Sequence, residues 1–460
     1  MPCVPSADRL IPLTRRGLSA SGRQRHVGAL SKGVTMSTSR LKRASLFLSL
    51  LVAVGWSSSI RADDDHDQGR DRASWAGTWG TGPAGSVGAA PEFADQTLRQ
   101  IVHTSAGGDR VRVRISNTFG TNPVVIGSAH VALRSSGSGI VAGSDRALTF
   151  SGKSSFTIPA GALVLSDPVA LEVPALSDLA VSIYLPVTAV ADTNHALALQ
   201  TSYIASGDVT GAASLPGATT TTSWNFLTGV DVSTGHRGGA SVVCLGDSIT
   251  DGANSTPDTN RRWPDVLARR LQARHGLSRI GVLDEGIIGN RILHPTEPAF
   301  GNLFGPAGLA RFDRDVLAQA GVRYLIVLLG INDIGHPGSA APLTDEVSAE
   351  EIEAGLTQFV ARAHEKGIKV MGATLTPFED TTIAGFYSPE KEVKRQAVNH
   401  WIRTSHTYDA IVDFDAAVRD PSHPTRMLPA YDGGDHLHPS DLGQQAMGNA
   451  VPLGFFEEDD

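Results

Sequence analysis

The chain has 460 residues, 41% of them hydrophobic, with 39 basic and 47 acidic side chains for a formal net charge of −8. That balance offers no basic surface for nucleic-acid phosphates or anionic membranes, and two cysteines cannot build a disulfide framework. A chain this long can bury a sizeable core and is expected to form more than one domain.

Residues 1–35 are basic and rich in Ser, Gly and Arg, without a lasting hydrophobic period. From Met36, "MSTSRLKRASLFLSLLVAVGWSSSIRA" has the layout of an export signal: Arg40, Lys42 and Arg43, then an apolar run from Ala44 to Trp56, then small residues up to Ala62. Met36 is read as the true start, residues 1–62 as an upstream segment plus signal peptide, and 63–74 as an acidic linker. The apolar run is shorter than the ~20 residues of a membrane-spanning helix. A soluble mature protein, secreted or periplasmic and without stable membrane insertion, is therefore expected. Arg15 and Arg16 lack a closely following apolar run and are not read as a twin-arginine signal. Without residues 1–62 the counts become 29 basic against 46 acidic, a net charge of −17, so no nucleic-acid partner is expected. Only Cys244 then remains, in an apolar run that suits a packed thiol.

From Trp75 to about Trp224, period-two alternation and turn residues dominate. "TLRQIVHT", "SAGGD" and "RVRVRIS" read as a hairpin, and "VVIGSAHVALR", "SSFTIPAG", "ALVLSDPVALEV" and "DLAVSIYLPV" continue the pattern. An all-β sandwich, jelly-roll-like, is expected over residues 75–235. The Thr-rich "GATTTTSW" and the following "STGHRGGAS" mark the approach to a boundary.

After Ser241 apolar strands alternate with amphipathic stretches. Strands are expected near "SVVCLG", "GVLDEG", "YLIVLLG", "IKVMGATL" and "AIVDFD", and helices near Trp263 to His275, Leu309 to Ala320, Ser348 to Lys366 and Pro389 to His406. Such alternation implies an α/β domain over 236–455, with parallel strands joined by right-handed crossovers and helices on both faces. Ligands of such sheets sit at the carboxyl ends of the strands. The informative residues fall there or in the last loop.

"SVVCLGDSITDGANS" runs from a buried strand into a turn that presents the Ser248 hydroxyl, a nucleophile if a base removes its proton. "DGGDHLHP" places Asp435 three residues before His438, a spacing at which the carboxylate reaches one imidazole nitrogen and leaves the other for Ser248. "EGIIGNR" brings Gly286 and Gly289 to a strand end, where a backbone N–H can approach a ligand, and "LLGIND" brings the Asn332 amide. Asp247 and Asp333 are read as structural hydrogen-bonding residues, Asp251 as an organiser of its loop, Gly286 as a turn glycine and His436 as a loop residue. His294 in "NRILHP" and His336 in "NDIGHPG" are candidates to line a substrate pocket.

In their order and spacing, "GDSIT", "GIIGN", "GIND" and "DHLHP" resemble the GDSL, or SGNH, hydrolase family over about Ser241 to Val451. The G-x-S-x-G elbow of the α/β-hydrolases is absent. The resemblance implies a flavodoxin-like three-layer fold with a parallel sheet and hydrolysis of carboxylic esters by a serine esterase. Ser248 is then the nucleophile, Asp435 and His438 the acid and base, and Gly289, Asn332 and the Ser248 N–H the oxyanion donors. No cofactor and no metal are implied. Export, acidity and a β-module point to small esters or acetylated carbohydrates as substrates, with a lipase or lysophospholipase as the alternative. Some acetyl esterases of polysaccharides in this superfamily carry a jelly-roll domain ahead of the hydrolase half. Here its loops are expected to wall one side of the Ser248 site. Two other classes are weaker: a metal-dependent phosphoesterase built on Asp247, Asp251, Asn332, Asp435, His436 and His438, and a carbohydrate-binding protein with a silent α/β half.

Overall fold

Arg110, Arg112 and Arg114 alternate with Val111, Val113 and Ile115 along one strand, and in the computed structural model the three apolar residues are fully buried. That strand, Gly108–Ser116, lies in a five-stranded antiparallel sheet ordered Trp75–Gly80, Leu227–Ser233, Gly108–Ser116, Val169–Val173, with Leu163–Leu165 also paired to Gly108–Ser116. A six-stranded antiparallel sheet runs Thr219–Thr221, Ser202–Ser206, Gln96–His103, Asp178–Leu185, Ser128–Leu133, Arg146–Ala147. Val102, Val131, Val181 and Ile183 of the second sheet meet Val111, Val113, Val230 and Val232 of the first in one core. The N-terminal half is thus an antiparallel two-sheet sandwich.

The stretch read as a hairpin over 97–116 is not one, because Gln96–His103 and Gly108–Ser116 belong to different sheets. Alternation tells which face of a strand is buried but not which strand lies beside it. The connection is held by Ser105, whose hydroxyl donates to the Thr78 carbonyl (2.6 Å) and accepts the N–H of Val282 (2.8 Å).

The second half forms a five-stranded parallel sheet in the order Ile280–Gly286, Ala240–Gly246, Val322–Leu328, Lys369–Ala373, Ala410–Val412. Numbered along the chain this order is 2-1-3-4-5, the flavodoxin-like arrangement. Its helices are α1 (Ser248–Asp251), α2 (Trp263–Ala273), α3 (Gly308–Phe312), α4 (Ile331–Gly335), α5 (Ala349–His364), α6 (Pro389–Thr404), α7 (Phe414–Val418) and α8 (Asp441–Ala450). Caps explain several boundaries: Ser348 and Glu351 close a reciprocal capping box on α5, and Ser388 followed by Pro389 starts α6. The single helix expected over 309–320 is instead α3 followed by a π-helical turn, Asp313–Leu317. Arg311 and Asp315 are both buried there and pair at 3.1 Å, so charged groups occupy positions that an amphipathic pattern would give to the core. Cys244 is a buried free thiol.

The two halves meet through backbone. Thr81 bridges in parallel to Asp284, Gly77 N–H donates to the Ala320 carbonyl (3.0 Å), and a Cβ on Gly281 would lie 1.9 Å from the Gly77 oxygen. The structure describes residues 74–86, 88–235 and 238–457, all within one compact unit. The start at Met36, the export signal and the linker up to residue 73 lie outside them. No helix among the described residues is long and apolar enough to cross a membrane.

Candidate active site

Strand Ala240–Gly246 ends in Gly246 and Asp247, and Ser248 opens α1. Asp247 caps that turn by accepting the Ile249 N–H at 3.0 Å, while its second carboxylate oxygen is buried and has no partner among the described residues. Burial pushes its pKa up to about 7.

The last loop folds back over this strand end. Ser248 Oγ lies 2.8 Å from His438 Nε2, and His438 Nδ1 lies 2.7 Å from Asp435 Oδ2. Asp435 Oδ1 accepts the N–H groups of Leu437 (3.1 Å) and His438 (2.8 Å), and Asn254 donates to Oδ2 (2.9 Å). Burial alone would raise the Asp435 pKa, but the hydrogen bonds and charge of His438 hold it well below the usual carboxylate range. A carboxylate at Nδ1 keeps the imidazole proton there, so Nε2 can accept the serine proton. The neighbouring Asp432 instead faces His436, which is half exposed.

Groups able to donate line the same cavity as the Ser248 hydroxyl. Gly289 follows the strand Ile280–Gly286 with φ +69°, and among the described residues no backbone group accepts the N–H of Ser248 or of Gly289. Asn332, in α4, spends one amide hydrogen on the Asn290 carbonyl (3.0 Å) and has a second to offer. Asp333 accepts the N–H groups of Ile292 (2.8 Å) and Leu293 (3.1 Å), with its pKa raised by burial to about 6, and so braces the turn.

Ser248, Gly289, Asn332 and His438 line one cavity of about 320 Å³. The rest of its wall is mostly apolar: Ile288, Phe300, Phe304, Ile383, Phe386 and Leu437. His336 also lines it, with ring centroids 5.2 Å from Phe304 and 5.8 Å from Phe386. Burial, helped by Arg291 and Lys391, pushes the His336 pKa down to about 3, so the ring is neutral at working pH. His294 is not part of this wall and sits 3.8 Å from Asp345. Among the described residues none of the sandwich lines the cavity either, so the expected wall of β-loops is not found there. The sandwich reaches the site from behind, where His195 meets Asp251 at 2.9 Å.

Ile288 and Leu437 fall inside "GIIGN" and "DHLHP", but the other four apolar wall residues do not stand out in the sequence. They lie on separated loops without a shared motif, and the aromatic pair Phe300 and Phe304 follows the "GIIGN" block by about a dozen residues. Of the proposed metal ligands, Asp251 is engaged by His195 and Ile288, and Asp435 by His438 and Asn254. Among the described residues no group of three or more His, Cys, Asp or Glu is arranged to hold a metal ion.

Residues 244–446 match the GDSL-like Lipase/Acylhydrolase family. No curated protein matches the chain. Among solved structures, a carbohydrate acetylesterase from Sinorhizobium meliloti is 19% identical, covering 46% of this chain and 95% of its own, with a TM-score of 0.35. An α/β hydrolase from the metagenome of Lake Arreo is 24% identical over 47% of this chain and 94% of its own, with a TM-score of 0.34. The aryl esterase of M. smegmatis is 17% identical over 46% and 95%, with a TM-score of 0.35. A hydroxyl, an imidazole and a carboxylate thus stand in one hydrogen-bonded line inside a GDSL-like lipase/acylhydrolase domain, which supports an ester-hydrolysing serine hydrolase.

Proposed function

We propose that Ser248 is the nucleophile, His438 the general base and acid, and Asp435 the carboxylate that orients it. The observation that carries this reading is the unbroken line from Ser248 Oγ through His438 to Asp435, at 2.8 and 2.7 Å. Ser248 Oγ attacks the ester carbonyl carbon as its proton passes to His438 Nε2. The negative oxygen is met by the N–H groups of Ser248 and Gly289 and by the Asn332 amide. Collapse breaks the bond to the alcohol oxygen, which leaves with the proton from His438. Water then attacks the acyl-enzyme, giving its proton to His438, and the acid departs as Ser248 Oγ recovers that proton.

The cavity lies at the small end of the roughly 300–1,000 Å³ typical of ligand sites, and it is walled by aromatic and aliphatic groups. We assign its enclosed space to a short acyl group and its open side to the alcohol, O-acetylated carbohydrates included. Phe300, Phe304 and Ile383 favour a second reading, a lipase-type acylhydrolase whose longer chain continues past the mouth. The signal layout after Met36 supports export to the periplasm or medium.

The mechanism is tested with Ser248→Ala. Its esterase rate on p-nitrophenyl acetate should drop by several orders of magnitude in a folded protein, and a serine-directed phosphonate should label the wild type alone. Turnover near the wild-type level would remove Ser248 from the mechanism. A p-nitrophenyl series from acetate upwards separates the substrate readings: rates falling beyond short chains support the first, rates rising with length the second.

A further inference from the structure

We propose that His195, a residue of the β-sandwich half, is a positioning residue for ester hydrolysis: through Asp251 it holds the Ile288–Gly289 turn that presents an oxyanion donor. The proposal rests on the reading of Ser248 and Gly289 given above.

The connection is short, and it is buried as far as Asp251. His195 and Asp251 are both nearly inaccessible, at 3% and 2%. His195 Nδ1 is 2.9 Å from the Gly82 carbonyl, which can only accept, so Nδ1 carries a proton. Nε2 is 2.9 Å from Asp251 Oδ1, and the other carboxylate oxygen, Oδ2, accepts the N–H of Ile288 at 3.1 Å. Ile288 immediately precedes Gly289. Burial by itself would push the imidazole pKa down, yet the charge and hydrogen bond of Asp251 and the Gly82 carbonyl leave it raised. A doubly protonated ring facing a carboxylate fits both contacts.

Asp251 is also the last residue of α1, which Ser248 begins. One side chain therefore joins the nucleophile's helix to the neighbouring strand's exit loop. The contact leaves no slack, because a Cβ on Gly286 would lie 2.3 Å from the Asp251 nitrogen. Arg262 holds the same joint from a second direction, donating to the Asp251 carbonyl (2.7 Å) and to the Ala198 carbonyl of the sandwich (2.5 Å). Without His195, a buried carboxylate would lose its counter-charge. It would then take up a proton or turn towards Arg262, and in either case its hold on Ile288 N–H weakens.

A structural interface residue would affect folding or cavity shape. A positioning residue affects the transition state. Losing an oxyanion donor outright typically costs roughly 10²–10³ in rate, so loosening one should cost about 10–100-fold. In the full chain, His195→Phe keeps the ring volume and removes both hydrogen bonds. Expected are a kcat lowered about 10–100-fold per phosphonate-titrated site and a KM within about threefold of wild type. The affinity of a trifluoromethyl ketone, which forms a tetrahedral adduct on serine, should fall in step with kcat. His195→Gln, which can still donate to Asp251, should recover part of both, and it carries the test alone if the Phe variant is insoluble. A kcat and ketone affinity within twofold of wild type in either soluble variant overturns the proposal, as does a change confined to KM. Failure of the underlying mechanism is seen separately, as ester hydrolysis that survives Ser248→Ala.

Discussion

Asp435→Asn changes two atoms' chemistry and almost no shape, which makes its consequence calculable from the hydrogen bonds around it. Oδ1 of Asp435 receives two backbone N–H groups, from Leu437 and His438, while Oδ2 faces His438 Nδ1 and the Asn254 amide. An asparagine has one acceptor to offer. Turning its NH₂ towards Leu437 and His438 would set donor against donor twice, so its oxygen must stay on the backbone pair and its NH₂ must face His438. The imidazole then accepts at Nδ1 and carries its proton at Nε2, pointing it at Ser248 Oγ. A base in that tautomer cannot receive the serine proton.

In the Ser-His-Asp template this error costs about 10⁴ in kcat, or about 5.5 kcal/mol of barrier. Asp435 is half-buried and water can reach the loop, so about 10³–10⁴ is expected here, somewhat less than for His438→Ala. Stability at neutral pH should fall by a few kcal/mol at most, because the backbone pair keeps its acceptor while the depressed carboxylate and its Asn254 contact are lost. The assay is the initial rate on p-nitrophenyl acetate per correctly folded site, with urea unfolding as the check on folding. Asp432→Asn is the control, since Asp432 serves the N–H groups of Gly434 and His436 and faces the His436 ring. An Asp435→Asn rate within tenfold of wild type, or an equally damaging Asp432→Asn, would remove Asp435 from this role.

Gly286→Ala should lower Tm and phosphonate labelling together. The new Cβ would lie 2.3 Å from Asp251 N and 2.7 Å from Asp251 Cα, backbone that cannot step aside, and overpacking of this kind costs about 1–3 kcal/mol; an unchanged Tm would show that α1 can shift. Asp284→Asn should stabilise the protein at alkaline pH. Burial raises the Asp284 pKa to about 8 against 3.8 unfolded, so between those values the folded chain binds more protons than the unfolded one and wild-type stability falls as pH rises. At about 1.4 kcal/mol per tenfold in proton affinity, and with Arg262 only 3.7 Å away to relax towards it, the gain at pH 8 should be a few kcal/mol. Urea midpoints of both proteins from pH 5 to pH 9 measure it, and parallel curves would contradict the assignment.

The candidate site was legible because three of its parts sit at the ends of apolar strands that local periodicity identifies and the other two are close neighbours in the chain. Ser248, Gly289 and Asn332 follow three successive strands of one sheet, and Asp435 and His438 share one turn, so short-range patterns were enough. Pairing over long distances was not legible. Residues 97–116 alternate as a hairpin would, yet the partners of Gln96–His103 are Asp178–Leu185 and Ser202–Ser206, chosen by the packing of a whole sheet. The aromatic wall of the cavity and the neutral environment of His336 arise from loops that meet only after folding. Gly286 reads as a turn glycine in sequence, but what requires it is the Asp251 backbone lying against it.

The same limit explains why the role of the sandwich did not appear in composition. Gly, Ser and Thr around residues 217–241 mark a place where the chain passes from one set of sheets to another, Ser233 ending the first and Ala240 starting the second. Composition of a connection says nothing about what the connected bodies do to each other. Here the segment that matters lies inside the sandwich, Asn194 to Thr201, and it clasps the loop after Ser248 at successive points. His195 takes Asp251, the Ala198 carbonyl takes Arg262, and Gln200 and Thr201 both donate to Asp258. Stripping these contacts away would leave a buried carboxylate, a guanidinium and several backbone groups without partners, each unsatisfied group costing about 1–3 kcal/mol. A module that merely targets an enzyme needs none of this. On the proposal made above, the contact of His195 ends on Asp251, which joins the helix begun by Ser248 to the Ile288–Gly289 turn, and the geometry of an oxyanion hole depends on that join.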